Sequence, residues 1–103
     1  MPLIYKICGR AEWAAAEAAG VYRGSADDVR DGFIHFSALD QVPGTHARHF
    51  AGRDDLVLVT VRADALGPAL KWEASRGGAL FPHLYDVLPL EAVEGVAGLG
   101  VMG

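Results

Sequence analysis

The sequence predicts an α+β fold, built on a compact, mostly antiparallel twisted sheet with two main helices. Short apolar runs typical of strands are separated by two helical stretches. Their order is too irregular for a doubly wound parallel sheet. A chain of 103 residues, of which 51% are hydrophobic, is expected to form a single domain over residues 1–103 with one core.

The individual elements are predicted from residue type and from the turn signals between them. Gly20 ends an alanine-rich helix, and Pro43 is expected in the first turn of the second helix, where its missing N–H costs nothing. Pro82 marks its strand as an edge, because proline donates no hydrogen bond to a neighbouring strand. The predicted strands are residues 3–8, 33–37, 56–62, 70–73 and 80–88, the predicted helices are residues 10–19 and 39–50, residues 25–31 form a capped turn, and the end from Gly95 is weakly specified.

Composition limits the classes of function. A net charge of -4 argues against non-specific binding of nucleic acid, which requires a basic surface. No run approaches the roughly 20 apolar residues of a membrane span, and Lys6 and Arg10 interrupt the N-terminal apolar stretch. The single Cys8 suits a reducing compartment and is expected to be buried in the core. We therefore expect a cytoplasmic protein that binds neither nucleic acid nor a membrane.

Two strand-like runs each place a histidine among apolar residues, and they mark the candidate site. Because strand side chains alternate between faces, His35 shares a face with Ser37, and His83 shares a face with Tyr85. An imidazole beside a hydroxyl can bind a polar ligand or transfer a proton. We expect one concave surface to be lined by at least three residues of the set His35, Ser37, Glu73, His83 and Tyr85.

Other charged and aromatic residues are candidates with competing explanations. Glu73 is the best candidate for a general base or for a carboxylate that binds a ribose, because few other acids occur inside the motifs. Lys6 is either a ligand-binding residue or a solvent-facing lysine that protects an edge strand. Trp72 and Phe81 can stack on a flat ligand such as a nucleobase, whereas Trp13 is expected to pack in the core.

Metal binding has weak support, and an anion site has more. His46 and His49 lie three residues apart on a predicted helix, so they can share a face, with His35 or His83 as a third ligand. A solvated helix face explains the pair more simply, and we expect no metal site. The helix start over residues 37–41 offers free N–H groups, which predicts an anion-binding corner beside His35.

Several motifs follow one another in a fixed order from about residue 3 to residue 96. They are Ile4-Tyr5-Lys6-Ile7, Trp13, the run from Phe33 to Ser37, Gln41, Thr45, Phe50, Leu56-Val57-Leu58-Val59, Leu70-Lys71-Trp72-Glu73 and Phe81-Pro82-His83-Leu84-Tyr85. In this order they resemble a family of small bacterial and plant proteins known as domain of unknown function 952. The resemblance implies a fold that is a compact relative of the ADP-ribosyltransferase fold.

The distant similarity to ADP-ribosyltransferases also implies roles for particular residues. Lys6 lies on the opening strand, where those enzymes often place a histidine or arginine that grips the ribose of NAD. Gly32 to Ser37 resembles their second strand, with His35 at the ring-stacking position. The late segment holds His83, Tyr85 and Asp86 where the transferases have a catalytic glutamate. This departure favours ligand binding over group transfer.

Three hypotheses of function remain open at this point. The favoured one is a pocket for a nucleotide-like ligand such as NAD or ADP-ribose. The alternatives are an ADP-ribosyltransferase-like or other nucleotide-processing enzyme and a protein-interaction domain. No cofactor is expected to be required, NAD is a candidate ligand or substrate, and the oligomeric state is left open. The predicted catalytic residues are His35, Glu73 and His83, and the predicted ligand-binding residues are Lys6, Ser37, Thr45, Trp72, Phe81 and Tyr85.

Overall fold

A computed structural model describes residues 2–99 and confirms the α+β class. The strands are β1 (Leu3–Gly9), β2 (Val21–Tyr22), β3 (Ile34–His35), β4 (Leu56–Arg62), β5 (Leu70–Ala74), β6 (Leu80–Leu84), β7 (Leu88–Pro89) and β8 (Val93–Leu99), and the helices are α1 (Arg10–Ala19), α2 (Ala26–Asp31) and α3 (Val42–His49). In place of the one sheet expected, these strands form three antiparallel sheets with the orders β1-β4-β8, β2-β7 and β3-β6-β5.

The main core lies against one face of the sheet β1-β4-β8. Alternation along β1 turns Ile4 and Cys8 toward this core, where Trp13 of α1 joins them. The predicted burial of Cys8 and Trp13 is therefore confirmed. Burial raises the pKa of the Cys8 thiol to about 12, which argues against a nucleophilic role. A smaller cluster on the other face of the sheet contains Ile7, Val42 and Leu56.

The strand β8 was not predicted from the sequence. It pairs with β4 from Leu56↔Leu99 to Val61↔Val93, although most of its side chains are exposed. Glycine is disfavoured in strands, and a strand held by backbone pairing needs no alternating apolar pattern. The sequence signal for β8 is weak for that reason. The last residues of the predicted weakly specified end, 100–103, lie outside the described residues.

Pro82 does not mark an edge, because β6 is the central strand of its sheet. The Pro82 carbonyl accepts a hydrogen bond of 3.0 Å from the Phe36 N–H, so the backbone groups of Pro82 point toward the β3 side. β3 ends at His35, just before this point. The missing N–H of Pro82 therefore interrupts no regular ladder on either side.

Several predicted boundaries are confirmed and others are corrected. The helix over residues 10–19 and the strand over residues 56–62 are found as predicted. The second helix begins with a 3-10 turn at Leu39–Gln41, and Pro43 lies in the first turn of α3 as expected. The strand expected over residues 80–88 is broken at residues 85–87, and β7 then pairs with β2. No helix within residues 2–99 is long and apolar enough to cross a membrane.

Candidate functional site

A cleft of about 390 Å³ lies between β1, the end of β3, α2 and α3. Three of the five residues expected to converge line it, namely His35, Ser37 and His83. Glu73 forms a hydrogen bond with His83, and Tyr85 forms one with Glu73, but neither residue lines the cleft. The other predicted site residues in the wall of the cleft are Lys6, Thr45 and Phe81.

The two histidines meet because their strands are neighbours in register. His35 of β3 is paired with His83 of β6, and their ring centroids lie 5.7 Å apart. Phe33 stacks on His83 with centroids 4.1 Å apart and also contacts His35 at 4.6 Å. Ile34, on the opposite face, is buried in the core. Alternation along β3 turns His35 away from the core, and the strand register places His83 beside it on the same face.

A buried carboxylate, Asp28, joins β1, α2 and β3. Lys6 Nζ donates to both of its oxygens, at 3.1 and 2.8 Å, and the Ser25 N–H donates at 2.8 Å. His35 contributes its backbone N–H at 3.1 Å and its ring Nδ1 at 2.6 Å. Burial alone would raise the pKa of Asp28, but the bond from His35 and the charge of Lys6 outweigh it, and the pKa lies well below its ordinary value.

The alternative of a solvent-facing lysine is wrong for Lys6, which is only 6% exposed. Lys6 shares a strand face with Ile4 and Cys8, so the alternation of β1 turns it inward. A buried ammonium group requires a carboxylate partner, and Asp28 provides it. The sequence indicated a cap in residues 25–31 but did not predict Asp28 as a site residue. Ser25 and Asp28 have the spacing of a capping box, which the structure contains.

The backbone beside Asp28 leaves no room for a larger residue at Gly24. Gly24 has a φ of +107°, a conformation that L-residues rarely adopt. A Cβ at this position would lie 2.7 Å from the Cβ of Asp28. Glycine here allows the chain to pass close to the carboxylate that holds Lys6 and His35.

Both ring nitrogens of His35 lie close to carboxylates. Its Nδ1 faces Asp28 at 2.6 Å, and its Nε2 faces an oxygen of Asp31 at 3.0 Å. The hydrogen bond from Arg30 is the main cause that lowers the pKa of Asp31, with a smaller effect of His35. His35 therefore lies between two carboxylates, and its catalytic role stays a prediction.

His83 has a different environment, with one ring nitrogen held by Glu73. The His83 Nδ1 lies 2.8 Å from Glu73 Oε1, and the Tyr85 hydroxyl donates to the same oxygen at 2.7 Å. The bonds from Tyr85 and His83 lower the pKa of Glu73, so the carboxylate stays ionised. His83 is held by Glu73 at Nδ1 and lines the cleft.

The opposite wall of the cleft carries hydroxyl groups and an arginine. The hydroxyls of Ser37 and Thr45 are 2.9 Å apart, and Arg48 of α3 lines the cleft beyond them. The anion corner expected at the helix start stays a prediction, but two of its backbone donors already have partners. The Ser37 N–H donates to the Tyr5 carbonyl, and the Ala38 N–H donates to the Gln41 side chain. These donors are used within the chain, so they attract no anion.

Two other sequence candidates, Trp72 and Tyr85, do not line the cleft. Trp72 is 44% exposed and stands on the opposite face of β5 from Glu73, outside the lining of the cleft. Tyr85 is also 44% exposed and borders a second, shallower depression. Its stacking or binding role, like that of Trp72, stays a prediction.

The histidine pair of α3 does not form one solvated face. His46 is buried, because it lies one turn from both Val42 and Phe50 on the side that packs inward. His49 is exposed and lines the cleft. Within residues 2–99, no three His, Cys, Asp or Glu side chains are grouped so that they could hold a metal ion.

The chain is a small α+β protein in which two histidines from neighbouring strands line a common cleft. The chain belongs to the family described as "Protein of unknown function (DUF952)", whose model matches residues 7–96. This match confirms the family predicted from the order of the motifs. The similarity to the ADP-ribosyltransferase fold stays a prediction.

Solved structures of the protein CC0527 from Caulobacter crescentus are similar to this chain over most of its length. The crystal structure has 57% sequence identity and a TM-score of 0.92, and the match covers 94% of this chain and 85% of that chain. The solution NMR structure has 56% identity and a TM-score of 0.87, with coverage of 97% and 86%. No curated protein matches the chain.

Proposed function

We propose that the cleft binds a small nucleotide-like molecule, with NAD, ADP-ribose or a fragment of either as the candidate ligand. The observation that carries the proposal is the pairing of His35 with His83, which sets two imidazole rings 5.7 Å apart at the cleft. Small-molecule sites typically combine apolar and aromatic walls with a few convergent polar groups. The cleft has this combination.

The different parts of a nucleotide each have a chemically suitable group in the cleft. Phe81 and His83 offer rings on which a base or a nicotinamide can stack. The hydroxyls of Ser37 and Thr45 suit a ribose, and the Arg48 guanidinium suits a phosphate. These residues come from β6, the end of β3 and α3, so a ligand that spans them would touch three elements.

The volume of the cleft favours a ligand smaller than a whole dinucleotide. About 390 Å³ is near the lower end of the range for ligand pockets, which begins at roughly 300 Å³. We therefore expect the cleft to hold a fragment about the size of one nucleotide, with the remainder of a larger ligand in solvent.

A thermal-shift screen with NAD, ADP-ribose, AMP and nicotinamide tests the proposal. A true ligand at 100 times its dissociation constant should stabilise the protein by about 2.7 kcal/mol. His83→Ala should then weaken binding by about 1–3 kcal/mol in titration calorimetry, because a buried polar group of the ligand loses its partner. Arg48→Ala should weaken the binding of phosphate-bearing ligands and leave nicotinamide unaffected.

Arg10→Ala is the matched control for Arg48→Ala, because Arg10 is exposed and lies outside the cleft lining. Its affinity for every ligand should equal that of the wild type. If none of the four compounds stabilises the wild type, a nucleotide-like ligand is the wrong choice for this cleft.

A second candidate function is acid–base catalysis at His83, and the contact with Glu73 favours it. A carboxylate that holds Nδ1 orients the imidazole and stabilises its protonated form, which leaves Nε2 to exchange a proton with a substrate. Tyr85 shares Glu73 Oε1 and so helps to keep the carboxylate in place. In this role His83 touches the substrate, and Glu73 acts through His83 as a positioning residue.

Glu73→Gln distinguishes binding from catalysis. If His83 transfers a proton, the variant should lose most turnover of NAD or a related substrate while its calorimetric affinity stays close to wild type, because the loss falls on the transition state. It should also change the pH profile of turnover, which a purely structural role of Glu73 would not do. A wild type that binds the ligand without any turnover argues against this second function.

A further inference from the structure

The strand β5 has one side without a strand partner. Residues Leu70–Ala74 pair with β6 on one side, and no strand within residues 2–99 pairs with the other. An open edge presents free N–H and C=O groups that can pair with another chain. The edge also carries an exposed aromatic residue, Trp72, and a diagonal neighbour on the same face, Leu80, is 54% exposed. Together they form an apolar patch at the open side of the sheet.

The register of β5 shows which backbone groups point outward. Trp72 is opposite Pro82, which has no N–H and whose carbonyl is bonded to Phe36 on the other side. Trp72 and Pro82 therefore form a pair without mutual hydrogen bonds, and the N–H and C=O of Trp72 point to the open edge. By the same alternation, the backbone groups of Leu70 and Ala74 also point outward.

The sequence of this edge is complementary to itself. In an antiparallel pair of two β5 strands centred on Trp72, Lys71 of each copy lies directly opposite Glu73 of the other. Opposite charges in such cross-strand positions attract. Both intramolecular bonds to Glu73 use its Oε1, so its second oxygen can meet the lysine of a second copy. The two Trp72 side chains would then pack beside each other at the two-fold axis.

We propose that two copies of this chain associate through their β5 edges, as an antiparallel pair centred on Trp72. The association joins the two sheets into one six-stranded sheet and uses the outward N–H and C=O groups of Leu70, Trp72 and Ala74 in both copies. Such a pair has the closed two-fold symmetry of most small homo-oligomers. The proposal does not depend on any ligand of the cleft, although Glu73 takes part in both.

Sedimentation equilibrium of the full chain without ligand, from about 1 μM to about 1 mM, measures the association. The mass of the wild type should rise from 10.9 kDa toward twice that value. Lys71→Glu places like charges opposite each other at two positions and should weaken the dimer at least about tenfold. Ala74→Pro removes an outward N–H that the monomer does not use, and it should weaken the dimer to a similar degree.

Lys71→Arg is the control, because it keeps the positive charge, and its dimer affinity should stay within about twofold of the wild type. Circular dichroism of each variant verifies that the monomer is folded. A wild type that keeps a mass of 10.9 kDa over the whole range overturns the proposal. A dimer that Lys71→Glu and Ala74→Pro leave unchanged also overturns it, since it would use another surface.

Discussion

Replacing Asp28 by alanine is expected to lower the free energy of unfolding by about 3–5 kcal/mol. The Asp28 side chain is 1% exposed and that of Lys6 is 8% exposed, so the variant leaves a buried ammonium group without its partner. It also removes the acceptor of the Ser25 and His35 backbone N–H groups. Urea denaturation followed by circular dichroism measures the loss.

Asp27→Ala is the control for this variant, because Asp27 lies next to Asp28 on the same helix and its side chain is 70% exposed. A surface change of this kind should stay within about 0.5 kcal/mol of the wild type. If Asp28→Ala changes stability as little as Asp27→Ala does, the buried network contributes nothing to the fold.

The same denaturation experiment as a function of pH gives a second measure of Asp28. Because the pKa of the folded carboxyl lies below its ordinary value of 3.8, the folded protein holds this group ionised more strongly than the unfolded chain does. Its stabilisation is therefore complete above about pH 5 and is lost as the pH falls further toward the folded pKa. Asp28→Ala should lack this part of the acid-induced loss of stability.

Leu84→Ala is the second change with a large expected effect, a loss of about 2–5 kcal/mol of unfolding free energy. Leu84 is 1% exposed, belongs to the main core and pairs across the sheet with both Ile34 and Leu70. Its truncation leaves a cavity beneath the strand that carries His83. Thermal and urea denaturation should both show the loss.

Leu39→Ala makes the same chemical change at a residue that is 65% exposed, and it should cost less than about 0.5 kcal/mol. Comparable losses in the two variants would mean that burial at Leu84 does not control the stability of the sheet β3-β6-β5. A ligand that binds in the cleft should partly restore the stability of Leu84→Ala, because it binds only the folded state.

The elements that local patterns specify were predicted well. The strand at residues 56–62 is a run of branched and apolar residues, and the helix at residues 10–19 has alanines with a glycine at its end, so each signal is contained in one short segment. The same alternation rule grouped His35 with Ser37 and His83 with Tyr85. Strand periodicity is a local property, which explains why a single sequence reveals it.

The elements that depend on distant segments were missed or misjudged. β8 is a strand because it pairs with β4. Pro82 is tolerated in a central strand because β3 ends before it. The sequence left open whether Lys6 is buried, because its partner Asp28 is 22 residues away in the chain. The capping box that includes Asp28 is visible in the sequence. The contacts of its carboxylate with Lys6 and His35 are not.

By itself, the sequence determined the α+β class, the family, the buried positions of Cys8 and Trp13, and the two histidine strands of the candidate site. These follow from composition, periodicity and the order of motifs, which are all read along the chain. Only the tertiary structure decided that His35 is held between two carboxylates, while His83 is held by one and lines the cleft. A hydrogen bond between side chains depends on distance in space, and only the folded chain brings Asp28 and Glu73 to these rings.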